Sequence, residues 1–479
     1  MSSLPEPTAP RYSPTNPEEL LARAKRRSAA IRRHRLVGAG GSLAVAVAVA
    51  LGGIVLTGRA AKPGQIVVSD RIGAAYEVTA EQAPPAAPAA PVVKGVESSE
   101  VAFSLELLSR LAGSGDSNNQ LVSPSSLATA LAMLELGAAG STEQGIAATL
   151  RSEGLSASQQ AAGWHSLATL VAAGTSPVGT NAARRPELDV ANAVWIQQGL
   201  AVRSAFVRAL SSEFGTGVWR VDFENDLAGA LSAINQWTSE NTKGLIKELF
   251  SPGALDGQTR LVLADAVFFH ADWAYQFATA VRPEPFHLGS GGTEAVPFMS
   301  STPDSSGNPL TVPLSITHRY TAVELPYVGH QLSALVVMPT RSSLSSFVAS
   351  LTPASLNRLL GGLSSRPIGL TMPTFTLRSD NHLNPTLSSM GMSAAFGPGA
   401  DFSGIAASPP LSVQTVEQRA YLQVTPKGTT AAAATGVGVS TSAVEVLQRV
   451  VIDHPFLFLV RDNATGAILF ESMIENPAS

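Results

Sequence analysis

The sequence predicts an α+β fold in which helices lead and strands follow. Three observations predict it. Apolar residues recur at helical spacing between Val101 and Trp237, and from Leu261 onward short runs rich in β-branched and aromatic residues take over. One of these runs, Leu261 to Phe269, is apolar on both faces, the mark of a strand buried in the middle of a sheet. Elements segregated along the chain in this way belong to the α+β class.

The chain has 479 residues, and its N-terminal region is not built like the rest. Residues 1–35 are polar and basic, with 8 Lys or Arg against 3 Glu, and read as a cytoplasmic tail. Residues 36–58 then run without a charge, centred on Leu43 to Leu51. At ~1.5 Å rise per residue this is long enough for a hydrocarbon core of about 30 Å. The basic cluster on its N-terminal side orients it with that end in the cytoplasm and everything after it outside. A cleaved signal peptide, releasing a secreted protein, is the other reading. The long leader and the poor cleavage site at Gly58-Arg59-Ala60 favour a retained transmembrane anchor. Residues 59–95, with Pro84-Pro85-Ala86-Ala87-Pro88-Ala89-Ala90-Pro91, read as an extended spacer. Residues 96–479 have no second proline-rich break and no repeat, and read as one large domain.

Within that domain Val101 to Leu111 is an amphipathic helix. Ser123-Pro124-Ser125-Ser126 starts a second, with Leu127, Leu131 and Leu134 on one face. Ser141-Thr142-Glu143-Gln144 fits a capping box. Leu188 to Ile196 reads as a strand, and Leu227, Leu231, Ile234 and Trp237 as one face of a helix. Asp265, inside the central apolar strand, requires a hydrogen-bonding partner or a raised pKa. Leu370 to Leu377 is a further strand. Val450 to Val460 and Ala467 to Ile474 are two more, joined by a turn at Asn463 to Gly466.

Removing the first 35 residues from totals of 32 basic and 36 acidic residues leaves 24 against 33, a net charge of −9. Such a chain has no basic stripe for nucleic acid. There is no cysteine, so stability rests on the core rather than on disulfides. The excess of Ala, and of Arg over Lys, points to a GC-rich bacterial genome. No His-Glu-x-x-His, Gly-x-Ser-x-Gly or Gly-Lys-Ser/Thr motif is present, so neither a metal, a cofactor nor an enzymatic activity is expected. A hydrolase would need a triad assembled only in space. His454, before Pro455-Phe456 in an apolar strand, reads as structural, and Gly289-Ser290-Gly291-Gly292 as a flexible loop.

The most informative segment is Gly428 to Val444, which lacks both proline and charge although it occupies an exposed connection. Small and β-branched residues without proline can become a buried strand, and an alanine-rich linker or helix fragment is the other reading of the composition alone. The motifs together resemble the serpins, the serine protease inhibitor family, across residues 96–477. Asn119 to Ser126 resembles its Asn-x-x-x-Ser-Pro-x-Ser segment. Ile234-Asn235-x-Trp237, Thr242-x-Gly244-x-Ile246, Phe268-Phe269 through Trp273 and Phe277, Leu325-Pro326-Tyr327, Pro373-x-Phe375 and Asp453 to Phe458 follow in the family's order.

The resemblance implies several helices packed around three β-sheets, with an exposed reactive-centre loop. It makes Gly428, Thr429, Thr430, Ala431, Ala432, Ala433, Ala434 and Thr435 the hinge of that loop. Counting from the hinge puts the scissile bond between Ser442 and Ala443; counting back from Pro455-Phe456 gives Val444. It implies a suicide inhibitor, acting as a monomer on an elastase- or subtilisin-like serine protease, with a non-inhibitory binding or structural role as the alternative. It implies that Trp273 lies beneath the loop, and that Gln418, where many members carry His, meets Ser123, Ser126 and Asn235. The chain departs from the family at Pro426 (commonly Glu), Asp265 (usually Asn) and Ser472 (usually Gly).

Overall fold

A computed structural model of the chain describes residues 65–80, 88–113, 119–174, 186–275, 277–279, 283–304, 306–429 and 448–479. All of these belong to the second of two units, Ala60–Ser479. Residues 1–35, the apolar run 36–58, the hinge residues Thr430 to Thr435, and Ser442, Ala443 and Val444 lie outside the described residues. Among the described residues no helix is long and apolar enough to cross a membrane.

The first element corrects the expected spacer over 59–95. Strands β1 (Ile66–Ile72) and β2 (Ala75–Ala80) form an antiparallel hairpin, turning at Gly73, whose φ of 58° suits glycine. The hairpin folds because Ile72, Ala75, Val78 and Ala80 bury their side chains. Helix α1 (Ala90–Ala112) then begins inside the same stretch, with proline in its first turn, where the missing N–H has no partner to lose.

After β3 (Gln120–Val122) comes α2 (Pro124–Glu135), buried on nearly every side. Leu127, Leu131 and Leu134 have no exposed surface, so this helix runs through the core. Helix α3 (Gly140–Thr149) starts at Ala139 without a side-chain cap, so the expected capping box is absent. Thr142 is instead buried, and its hydroxyl accepts the Asp401 N–H at 2.9 Å. Next are α4 (Ala157–Gly174), β4 (Glu187–Gln197), α5 (Ser204–Glu213), β5 (Val218–Val221) and α6 (Leu227–Asn241), the last capped by Asp226.

Strands dominate from here. β6 (Leu261–Asp272) is followed by β7 (Phe277–Thr279), β8 (Glu284–His287), β9 (Thr293–Val296), β10 (Phe298–Ser301), β11 (Leu310–Ile316), β12 (Tyr320–Pro326) and β13 (Leu332–Pro339). Two short helices, α7 (Leu344–Ala349) and α8 (Pro353–Gly361), precede β14 (Ser364–Pro373), β15 (Phe375–His382), β16 (Thr415–Thr425) and β17 (Gly428–Thr429). The chain closes with β18 (Gln448–Val451), β19 (Phe456–Asp462) and β20 (Ile468–Ile474).

These strands make three sheets among the described residues, the number the resemblance implies. The main sheet has the order β1-β2-β5-β4-β6-β17-β16-β15, and β6 also pairs directly with β16. A ten-stranded sheet runs β3-β20-β19-β13-β12-β11-β14-β10-β7, with β18 against β14, and β8 and β9 form a separate hairpin closed by Gly289 to Gly292. Leu370 to Leu377 is thus not one strand. Pro373 ends β14 in the second sheet, and Phe375 starts β15 in the main one. Val450 to Val460 is likewise broken. His454 falls in the connection, exposed, bonded to Asp453 at 2.7 Å and stacked on His287.

One core lies between α2 and the two large sheets, and another under α6. There Trp195 stacks on Trp219 (4.9 Å between ring centroids) and meets the edge of Trp237. The hairpin adds Ile72 and Ala75 to this second core.

Candidate functional site

The site is the seam of the main sheet between β6 and β16. Along most of its length the two strands are parallel partners, from Thr415 opposite Val262 to Tyr421 opposite Phe268. At its upper end a third strand has entered. β17 pairs antiparallel with both neighbours, Gly428 opposite Asp272 and Thr425, and Thr429 opposite Ala271 and Val424. The first two residues of the expected hinge are therefore buried in the sheet.

Local chemistry explains why the chain turns in here. Thr425, Pro426, Lys427 and Gly428 make a tight turn between β16 and β17, with proline at the second position, where its fixed φ is favourable. The Thr425 hydroxyl donates to Gly428 O at 3.0 Å. Gly428 is required by close approach, because a Cβ there would lie 2.0 Å from Ala271 O. Thr429 has no exposed surface, and its hydroxyl shares a hydrogen bond of 2.7 Å with that of Tyr327. Burial pushes the Tyr327 phenol far above its usual range, so it stays neutral.

Trp273 braces this corner. Its indole N–H donates to Thr425 O at 2.9 Å, its backbone N–H donates to Lys427 O at 2.8 Å, and its ring lies flat on Tyr327 with centroids 4.5 Å apart.

Midway down the seam a polar cluster is buried. Gln418 on β16 accepts the Ser123 N–H at 2.8 Å and donates to Ser123 O at 2.9 Å and to Asp265 Oδ2 at 2.6 Å. Ser126 donates to Asp265 Oδ1 at 2.5 Å, and Asn192 on β4 donates to Ser126 O at 3.0 Å. The Ser123 hydroxyl donates to Leu469 O at 2.6 Å. Burial raises the Asp265 carboxyl to about 7, against the opposing pull of Ser126 and Gln418.

Ser123, Ser126 and Gln418 thus come together, but Asn235 does not join them. It sits on α6, on the other face of the sheet, where it accepts the N–H groups of Leu249 and Phe250 and donates to Phe250 O. Its place is taken by Asp265, singled out from the sequence as a buried acid and as a departure from the family's usual Asn, and by Asn192, which the sequence reading missed. Asn192 is half-buried between the buried Ala191 and Ala193 of β4, and nothing in its local sequence marks it. Ser472 is buried, with its hydroxyl unpartnered among the described residues. No group of three or more metal-ligating side chains occurs among the described residues.

Comparison with known proteins agrees with this geometry. A family model described as Serpin (serine protease inhibitor) matches residues 98–477. The chain is 32% identical over 391 residues to an uncharacterized serpin-like protein of Thermococcus kodakarensis, covering 81% of this chain and 86% of that protein. It is 30% identical over 379 residues to plasminogen activator inhibitor 1 of Neovison vison, covering 78% and 91%. Among solved structures it is similar to thyroxine-binding globulin in complex with thyroxine, at a TM-score of 0.69 and 25% identity, covering 80% of this chain and 99% of that one. With a family model matched over residues 98–477 and relatives at 30% identity or more across most of the chain, the chain belongs to the serpin family, whose members are in general protease inhibitors rather than enzymes.

Proposed function

We propose that this serpin traps a serine protease of small or apolar specificity by acting as its substrate. One observation carries the reading: Gly428 and Thr429 are seated between β6 and β16, so the strand that trapping requires is begun before any bond is cut. Continued in the same register, the loop would bring Thr435 opposite both Asp265 and Gln418. Ala431 and Ala433 would turn inward on the way, as Thr429 does. All are small and uncharged, so none opposes burial.

The protease serine adds to the carbonyl carbon of Ser442, and the bond from that carbon to the Ala443 nitrogen breaks. The amine leaves with a proton, and Ser442 remains esterified to the enzyme. Water can complete hydrolysis, or the freed strand can enter the seam first. About 14 residues at ~3.3 Å each would carry the bound enzyme ~45 Å. Ser442, with Val444 as the neighbouring choice, suits a shallow apolar primary pocket of elastase- or subtilisin-like type, and the nearest arginine is Arg449. In this reading residues 36–58 anchor the protein in the membrane, the serpin domain lies outside, and each copy works alone without a cofactor.

Incubation with elastase-, subtilisin-, chymotrypsin- and trypsin-type proteases tests this on denaturing gels with mass spectrometry. A detergent-stable adduct, with a released peptide starting at Ala443, supports trapping. Clean cleavage without an adduct would favour a non-inhibitory binding role instead.

A further inference from the structure

Asp265 faces Gln418 across the seam, at the middle of the parallel ladder. A strand entering there must push its neighbours from about 4.8 Å apart to roughly twice that spacing. The 2.6 Å bond from Gln418 Nε2 to Asp265 Oδ2 cannot survive that separation. Asp265 is fully buried, and the polar side chains facing it are Ser126 on α2, Asn192 on β4 and Gln418 on β16.

Charged and titratable groups on the packed elements are engaged elsewhere. Glu417 and Arg419 alternate with Gln418 onto the opposite face of β16, where they meet His382 and Asp380 of β15. Glu187 and Asp189 on β4 pair with Lys243, and Glu135 on α2 accepts from Gln160. His270 and Asp272 lie toward the upper end of β6, and Glu471 on β20 is coupled to Glu100. None of these charges bears on Asp265.

We propose that Asp265 is a proton-operated clasp on the seam: ionised, it holds Gln418 and slows loop entry; protonated, it lets the strands separate. The proposal rests on the reading of loop insertion given above. Ionised, Asp265 receives charge-assisted bonds from both Ser126 and Gln418, and parting from Gln418 would leave a buried carboxylate with a single donor until Thr435 arrives opposite it. Protonated, Oδ1 can donate to Ser126 Oγ, whose own hydrogen turns toward Asn192 Oδ1 at 3.4 Å, and the bond from Gln418 becomes an ordinary neutral one. The cost of burying the charge is common to the open and filled seam, so it does not cancel this difference. Because the carboxyl titrates near neutrality, trapping would be fastest in mildly acidic surroundings.

The chain has no cysteine, so Ala432→Cys in the full-length protein gives a unique fluorophore site, at a position that would face outward in the inserted strand. Insertion after loop cleavage is then followed by stopped flow from pH 5.5 to 8.5, with and without Asp265→Asn. The expected result is insertion about ten-fold slower at pH 8.5 than at pH 5.5, and a flat profile near the fast limit for Asp265→Asn. Gln418→Met, which removes the donor, should be flat as well. A profile shared by the wild type and both variants, or a wild-type rate that rises with pH, would overturn the clasp. No fluorescence change and no gain in thermal stability after cleavage, in any protein at any pH, would instead remove the insertion reading beneath it.

Discussion

The seating of the hinge makes one prediction that can be worked through in numbers. Tyr327 and Thr429 share a hydrogen bond of 2.7 Å with both residues fully buried, so removing either hydroxyl strands the other. An unsatisfied buried hydroxyl costs about 1–3 kcal/mol, and removing both partners together is close to neutral. Tyr327→Phe and Thr429→Val should each destabilise the domain by about 1–3 kcal/mol. The double variant should fall well short of the sum, giving a coupling energy of at least about 1 kcal/mol. Since 1.4 kcal/mol is a factor of ten, either single variant should also raise the population with β17 withdrawn by about that factor. Denaturant unfolding followed by tryptophan fluorescence gives the energies, because Trp273 stacks on Tyr327. Hydrogen exchange at the Thr429 amide reports withdrawal. Additive effects, with coupling below about 0.3 kcal/mol, would mean that the two hydroxyls do not meet and that the hinge is not seated.

Other outcomes follow from the same geometry. Gly428→Val should expel β17, because its Cβ would lie 2.0 Å from Ala271 O, and should convert an inhibitor into a substrate; an unchanged stoichiometry of trapping would contradict this. Glu100 and Glu135 are raised by burial to about 8, and Asp265 to about 7. These groups keep protons in the folded state that they lose when unfolded, so their contribution is fully present below about pH 4 and is lost as pH rises through 7 to 8. Unfolding midpoints should therefore be lower at pH 9 than at pH 5.5, and a flat or rising profile would refute the burial of these acids. Deleting residues 1–80 should open the Trp195–Trp219–Trp237 core, which Ile72 and Ala75 help to close, and should lower the melting temperature with new binding of a hydrophobic dye. Trp273→Phe keeps the ring against Tyr327 but strands Thr425 O, and should speed exchange at the hinge without unfolding the domain.

Much of this architecture is written in local patterns. The central strand β6 and the helices α2 and α6 are set by uninterrupted burial or a single helical stripe, which the sequence displays directly. The β1–β2 hairpin was legible too, as two β-branched runs around Gly73, but the neighbouring proline-rich composition outweighed it. Pro373 likewise marked the point where one apparent strand passes from sheet to sheet. The polar cluster is a different case. Which of several buried and half-buried Asn, Asp and Ser side chains meet depends on how three strands and a helix are stacked, so Asn235 was drawn in by its motif while Asn192 carried no signal of its own. Thr425-Pro426-Lys427-Gly428 shows the reverse: a departure from the family's pattern at Pro426 becomes, in the folded chain, a favourable turn residue.

The two-residue strand β17 has a consequence for fidelity. Strand growth resembles a zipper, in which the first pairing costs the most chain entropy and each later residue follows at less cost. In the proposed insertion reading that nucleus exists from the start, so a cut loop would have only to propagate. Gly428 and Thr429 also fix the phase with two neighbours at once. A slip by one residue would exchange the inward and outward sets of side chains along the whole incoming strand. Nucleated where it is, the proposed zipper would close quickly and in only one register.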